Sequence, residues 1–442
     1  MIRSSTALRA LALAGAASVL LAACSTASPS DDASSSASSS AKSDPAASCE
    51  AGTPSTDPFA IGTMLPLTGT LAYLGPPAIA GANQAITDIN AAGGVLDQPA
   101  EISTSTDSGD SNDMTVSSNA ATQLIDADVP VVLGAESSSV TLNVVDQLTS
   151  NCIVEISPAN TASSLSGYSS YYYRTAPPDS VQGSALGQQI TADGNANVAF
   201  LVFNDTYGTG LRDSTQESIE SSGGTVVYGG SGEGQEFPPG QTTFSSEVSA
   251  AIAADPDAIV ILAFDETKSI VPELVAQGWD MSKVYMSDGN TADYSADFEP
   301  GTLEGAKGTI PGADASADFK AELAAGYQQS EGQTLADYSY AAESYDAVIL
   351  TALAAQAGGG TDAGTIQANM AAVSGANGGT ECTTYADCKT ALDAGDDIHY
   401  TGPSGIGPFN DDNDPSSASI GVYQFDADNK PVYQTGIEGS VG

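Results

Sequence analysis

Histidine and tryptophan occur once each in the 442 residues, and lysine and arginine together only 11 times against 55 acids. The single imidazole, His399, does not furnish a histidine-bearing metal site, nor a Ser-His-Asp arrangement without partners the sequence cannot place. A formal charge of -44 excludes a nucleic-acid partner, because phosphate contacts are made by clustered Lys and Arg. The chain has no Gly-x-Ser-x-Gly, no Walker-type phosphate loop and no Gly-x-Gly-x-x-Gly. The acidic run Asp411-Asp412-Asn413-Asp414 lacks the glycine and terminal glutamate of an EF-hand loop and reads as a turn. No enzyme activity, metal or cofactor is therefore expected. A long apolar run is missing too: residues 10–23 fall short of the ~20 needed to span a bilayer.

That short run follows Arg3 and Arg9, the layout of a secretory signal over residues 1–23. It ends Leu21-Ala22-Ala23-Cys24-Ser25, which resembles a bacterial lipobox with Cys24 as the acylated first residue of the exported chain. Losing Arg3 and Arg9 takes the charge from -44 to -46. Residues 24–57 are Ser, Ala, Asp and Pro with hardly a large apolar side chain, so they cannot offset chain entropy by burial and read as a tether. The expected location is outside the cell, lipid-anchored to the outer face of the cytoplasmic membrane.

Four cysteines remain after Cys24, an even number that favours disulfides in an exported chain. Cys382 and Cys388, six apart, close a local loop, which leaves Cys49 and Cys152 to pair. The body after residue 58 is about 380 residues, long for one core, and suggests two lobes.

Apolar runs and helical periodicities alternate through that body. Strands are expected at 59–66, 129–134 and 153–156, with helices at 79–89, 114–125 and 137–148 between them. The second part repeats the scheme, with strands at 198–203, 225–228, 258–263 and 284–286 and helices at 210–221, 244–254 and 270–277. Further helices are expected at 319–329, 335–355 and 365–372, and a half-exposed strand at 419–425. The fold class is α/β, with two doubly wound parallel sheets whose ligand crevice lies at the carboxyl ends of the strands.

An ordered series of stretches is similar to the leucine/isoleucine/valine-binding family of type I substrate-binding proteins of ABC importers. The series begins with Gly62-Thr63-Met64-Leu65-Pro66-Leu67-Thr68-Gly69 and Gly81-Ala82 through Asp88-Ile89-Asn90-Ala91-Ala92-Gly93-Gly94. It continues with Val132-Leu133-Gly134 and Ser137-Ser138-Ser139, Ile156-Ser157-Pro158-Ala159-Asn160-Thr161 and Tyr173-Arg174-Thr175-Ala176. Asn204-Asp205-Thr206-Tyr207-Gly208-Thr209-Gly210, Tyr340-Ala341-Ala342-Glu343-Ser344-Tyr345-Asp346-Ala347 and Gly402-Pro403 complete it. The resemblance implies a type I periplasmic-binding-protein fold, two lobes joined by three hinge crossings near 174–179, 305–311 and 402–409. One lobe would take residues 58–175 and 311–403, the other 176–310 and 404–442.

The resemblance also implies a site. Ser138, the Ala159 backbone and Thr161 would hold a ligand carboxylate, and a helix start favours an anion on its own account. The same serines also read as a helix cap. Tyr207 would reach across the cleft, and Asp288 would pair with the ligand's ammonium. Tyr73 and Leu74 would shape the side-chain pocket. Phe264-Asp265-Glu266-Thr267 stands where the family often has a tyrosine pair. Acids there, Glu266 among them, would favour a more cationic ligand if they face the cleft, or else they face solvent.

The resulting expectation is a monomeric binding lipoprotein that captures an amino acid of branched-chain type, or a related small polar ligand, for an ABC permease. Its alternative is a ligand-sensing domain of the same fold for amides or urea-like compounds.

Overall fold

A computed structural model describes residues 43–49 and 54–441. The signal stretch 1–23 and the acylation site Cys24 lie outside the described residues. The first sheet contains β1 (Phe59–Leu65), β2 (Ala100–Asp107), β3 (Val131–Gly134), β4 (Val154–Ser157) and β5 (Tyr172–Arg174), in the order β2-β1-β3-β4-β5. All its pairings are parallel. They are joined by α1 (Gly75–Ala91), α2 (Met114–Asp126) and α3 (Ser138–Ser150).

The chain then crosses over. There follow α4 (Asp179–Ala192), β6 (Asn197–Val202), α5 (Thr206–Ser221), β7 (Thr225–Tyr228), α6 (Ser245–Ala253) and β8 (Ala258–Leu262). The run ends with α7 (Thr267–Ala276), β9 (Val284–Met286) and β10 (Lys307–Pro311). The chain returns to the first lobe for α8 (Ala317–Glu331), α9 (Ala341–Gly358), α10 (Ala363–Val373), β11 (Thr380–Cys382), α11 (Tyr385–Asp393) and β12 (Ile398–Tyr400). A third crossing leads to β13 (Ser417–Phe425) and β14 (Pro431–Ser440). The second sheet runs β14-β13-β10-β9-β8-β6-β7; it is parallel from β7 to β10, and β13 and β14 extend that edge antiparallel. Residues 307–311, expected within the second crossing, are thus a strand, and the crossing follows them.

Sequence chemistry sets these elements locally. Pro76 and Pro77 open α1, where a missing N–H costs nothing. Asp205 caps α5 by accepting from the Tyr207 amide at 3.0 Å. Gly81 lets α1 close on α9: a Cβ there would stand 2.1 Å from the Ala341 carbonyl oxygen. The fully apolar strands β3 and β8 are buried along their whole length, as parallel sheets covered on both faces require.

Both disulfides are formed, Cys382–Cys388 and Cys49–Cys152, the latter closing a separation of 103 residues. The tether does not stay free up to residue 57. Ala46 is buried in the first core, and the Asp44 carboxylate accepts from Ser169 Oγ at 2.8 Å and Ser170 N at 3.1 Å. Composition alone missed this because one disulfide and one buried alanine suffice to hold so short a segment. Among the described residues no helix is long and apolar enough to cross a membrane, and no group of His, Cys, Asp or Glu is placed to hold a metal ion.

Candidate functional site

Each sheet reverses its strand order once, between β1 and β3 in the first and between β6 and β8 in the second. Loops leaving such a point diverge and open a crevice. Here the two crevices face each other. The loop after β1 supplies Leu71 and Leu74, the β3 end Glu136, Ser137 and Ser138, and the β4 end Ala159. From the other lobe come Tyr207 after β6, Phe264 after β8, and Asp288 and Gly289 after β9. Tyr340, at the start of α9, completes the wall. The space they enclose is about 20 Å³, room for roughly one water molecule. The lobes are closed on one another: Leu71, Leu74, Ala159 and Tyr340 pack into the hydrophobic core of the second sheet. A larger hollow of about 290 Å³ also touches Tyr340, lined by Asp337, Glu343, Lys320 and Tyr423 among others, and lies at the end of β10 beside the crossing that follows it.

Asp288 organises the second-lobe wall. Its Oδ1 accepts from Gln182 Nε2 and from the Tyr207 hydroxyl, both at 2.7 Å, and its Oδ2 from the Tyr340 hydroxyl at 2.6 Å. Its backbone carbonyl accepts from the Tyr73 hydroxyl at 3.1 Å. Burial raises the carboxyl's pKa, opposed by the hydrogen bonds from Tyr340, Tyr207 and Gln182. Tyr73 and Tyr340 belong to the first lobe, so Asp288 also ties the lobes together. The Tyr207 ring lies stacked on Phe264, with centroids 5.5 Å apart. Tyr340 itself has a left-handed backbone, φ 59°, sparsely populated for a non-glycine residue and held here by the buried surroundings.

On the first lobe the two serines divide the work. Ser137 caps α3, its Oγ accepting from Val140 N. The Ser138 Oγ accepts from the amides of Thr161 at 3.3 Å and Ala162 at 3.1 Å. A hydroxyl that accepts twice still has its own hydrogen to donate. Ala159 lines the cavity, with its amide directed to Ser157 Oγ at 3.3 Å.

The structure therefore gathers Leu74, Ser138, Ala159, Tyr207 and Asp288 around one space and brings Tyr73 onto Asp288. Tyr73 reaches Asp288 without lining the space, and two further expected residues, Thr161 and Glu266, stand apart from it. Thr161 is buried beside Asp179, whose amide donates to the Thr161 carbonyl at 2.7 Å. The Thr161 hydroxyl and the Asp179 carboxylate make no well-formed hydrogen bond. Burial pushes the Asp179 pKa up to about 7, with the Thr161 hydroxyl opposing. Glu266 faces its own lobe: Oε1 accepts from Gly240 N at 2.7 Å and Oε2 from Phe264 N at 3.0 Å. Its carboxylate thereby ties the loop after β8 to the loop before α6. Asp265 is exposed and pairs with Lys268 at 3.1 Å.

Four contributors escaped the sequence reading, Leu71 beside the expected Leu74 among them. Gln182 lies in the first turn of α4, with no local sign that it reaches Asp288. Tyr340 opens the Tyr340-Ala341-Ala342-Glu343 stretch, to which the resemblance assigns no ligand contact. Glu136 had a signal, an acid placed directly after an apolar strand and before a serine-rich helix start.

The family model for periplasmic binding proteins matches residues 58–392. The chain is 26% identical over 201 residues to Leu/Ile/Val-binding protein homolog 3 of Brucella melitensis, covering 45% of this chain and 52% of that protein. It is 27% identical over 188 residues to the Leu/Ile/Val-binding protein BraC3 of Rhizobium johnstonii, covering 42% and 49%. With an amino acid binding protein of Pseudomonas aeruginosa it shares 29% over 293 residues, covering 64% and 75%. The aligned part thus spans about half the length of the first two relatives. The leucine binding protein LivK of Thermotoga maritima superposes with a TM-score of 0.69 at 20% identity, over 86% of this chain and 98% of that one. LivJ of Streptococcus pneumoniae, in complex with isoleucine, gives 0.69 at 22%, over 87% and 100%. A solute binding protein of R. palustris, in complex with 4-hydroxybenzoate, gives 0.67 at 16%, over 86% and 96%. At these identities the likeness establishes the fold.

Proposed function

Because the chain belongs to the periplasmic binding protein family, we propose that it captures an amino acid, or a closely related small polar ligand, and delivers it to an ABC permease. One observation carries this reading: a neutral hydroxyl donor at a helix start and a buried carboxylate face each other across a single interlobe space. A zwitterion needs that pairing. Its carboxylate would take the free Ser138 hydrogen at the start of α3, where backbone amides also favour an anion. Its ammonium would meet Asp288, whose three neutral donors leave it about one lone pair short of saturation. Leu71, Leu74 and Phe264 would cover the aliphatic part of a side chain.

The closed space is too small for an amino acid, so the lobes part to admit one. Opening separates Tyr73 and Tyr340 from Asp288, and also Ser139 Oγ from the Thr206 amide it now meets at 3.3 Å. Closure then brings the lobes together around the ligand, and the closed, loaded form docks on the permease.

Calorimetry across the natural amino acids tests the reading. Asp288→Asn keeps the shape and removes the charge. It is expected to weaken binding of whichever amino acid binds by about 1.5–3 kcal/mol, roughly 10- to 150-fold. Unchanged affinity would place the ammonium elsewhere and remove the assignment. Membrane attachment through an acylated Cys24 is part of the same proposal. Cys24→Ser is expected to move the protein from the membrane fraction to the medium, and retention on the membrane would contradict it.

A further inference from the structure

Glu136 is the one acid of the interlobe space that nothing in the fold explains. It is 3% exposed, and neither carboxylate oxygen has a hydrogen-bond partner. The other acid lining the space, Asp288, is provided for by three donors. Among the described residues lining the space, none is Lys, Arg or His. The buried cation Arg174 is engaged elsewhere, by Asp414 at 2.6 Å. An unpaired carboxyl in such a place is costly unless a partner arrives.

The partner must come from the space Glu136 lines. Glu136 stands on the side where the loop after β1 shapes the pocket. Burial raises the Tyr73 hydroxyl's pKa, and the charges of Tyr294, Asp337, Asp288 and Glu136 add to that rise. Leu71 and Leu74 offer apolar wall beside it. We infer that Glu136 is a specificity-determining residue that receives a cationic group at the end of the ligand's side chain. The preferred ligand is then an amino acid with an aliphatic stem and a terminal amine or guanidinium. The stem lies against the leucines, as long basic side chains do when only their heads need polar company. The head forms a charge-assisted hydrogen bond with Glu136. A purely aliphatic side chain would leave the carboxyl buried against methyl groups. This inference rests on the amino-acid reading of the same space and narrows it.

The test is calorimetry of the exported chain with L-arginine, L-lysine and L-ornithine against L-leucine and L-isoleucine. It is run on the wild type, Glu136→Gln and Glu136→Leu. At least one basic amino acid is expected to bind the wild type about tenfold or more tightly than either aliphatic one. Glu136→Gln, nearly isosteric, is expected to lose about tenfold or more for the basic ligand. Glu136→Leu is expected to reverse the preference. A purely structural role for Glu136 would change all affinities together and leave their ratio alone, and that result overturns the inference. Wild-type preference for leucine or isoleucine also overturns it while amino-acid capture stands. If none of the five binds the wild type, both this inference and the reading beneath it fall.

Discussion

Asp414→Ala is expected to destabilise the fold by about 3–5 kcal/mol, the loss seen when one member of a buried ion pair is removed. Arg174 is wholly buried, and its guanidinium is held at both ends by Asp414: Nε to Oδ1 at 2.6 Å and Nη2 to Oδ2 at 2.9 Å. Nη1 donates to the Ala162 carbonyl at 2.9 Å, and Nη2 also donates to Ser166 Oγ at 2.7 Å. Ser166 in turn donates to Asp414 Oδ2 at 2.6 Å. The network joins the first crossing, at the end of β5, to the third crossing, before β13. Alanine would leave a buried positive charge with only neutral partners. Chemical denaturation monitored by circular dichroism reads the effect. Replacing both members, as Arg174→Met with Asp414→Leu, is expected to recover most of the loss, because no charge is then stranded. A single-variant loss below about 1 kcal/mol would mean the pair contributes nothing net.

Stability is also expected to fall steeply as pH rises from about 5 to 8. Burial lifts the pKa of Asp346 to about 6, with hydrogen bonds from Ser404 and Tyr400 opposing. Burial also lifts Asp179 to about 7 and Glu343 to about 8. Unfolded, the same acids ionise near 4. Between those limits the native state binds more protons than the unfolded chain, so stability declines with rising pH. The full contribution is present below about pH 4 and gone once pH passes each folded pKa. Together the three groups amount to something on the order of 10 kcal/mol. Half-buried acids such as Asp107 and Asp193 work the other way. Although desolvation tends to raise their pKa, hydrogen bonds from Thr68 and neighbouring amides, and from Lys307, hold it below its usual value. Their contribution is lost as pH falls below about 4, which places the maximum near pH 4–5. Repulsion within a chain of charge -44 also eases in acid, but salt screens that surface effect and leaves buried groups untouched. Melting temperatures at pH 5 and pH 8 in about 0.5 M salt therefore separate the two. A flat profile in salt would show that these carboxyls titrate normally. Glu343→Gln is expected to flatten the upper part of the decline.

What the sequence showed best were buried strands and amphipathic helices. Val131–Gly134 and Ala258–Leu262 were legible because a strand covered on both faces must be apolar throughout. Ala100–Asp107 and Pro431–Ser440 were not, because strands at the sheet edges expose most of their length and carry Ser, Thr, Gln and Glu there. Helix α4 was missed for a different reason. Its glycines argue against a helix locally, yet Gly183 and Gly187 let α5 approach so closely that a Cβ at either would stand 2.5 Å from a serine Cβ.

By itself the sequence determined the two α/β lobes, the local loop closed by Cys382 and Cys388, the strand-end loops that bear Ser138, Tyr207 and Asp288, and the membership implied by their order. The lobes follow from periodicity and from local turn and cap chemistry, which act within a few residues; the site loops and the membership follow from the resemblance of the ordered stretches. Only the tertiary structure decided which acids share the interlobe space. It turned Glu266 onto the amides of Phe264 and Gly240 and buried Thr161 beside Asp179. It brought Gln182 and Tyr340 to Asp288 across 106 and 52 residues of chain. It also left Glu136 in the space without a partner. A side chain's partner is chosen by the closure of two lobes whose facing loops are far apart in sequence, and no local pattern encodes that distance.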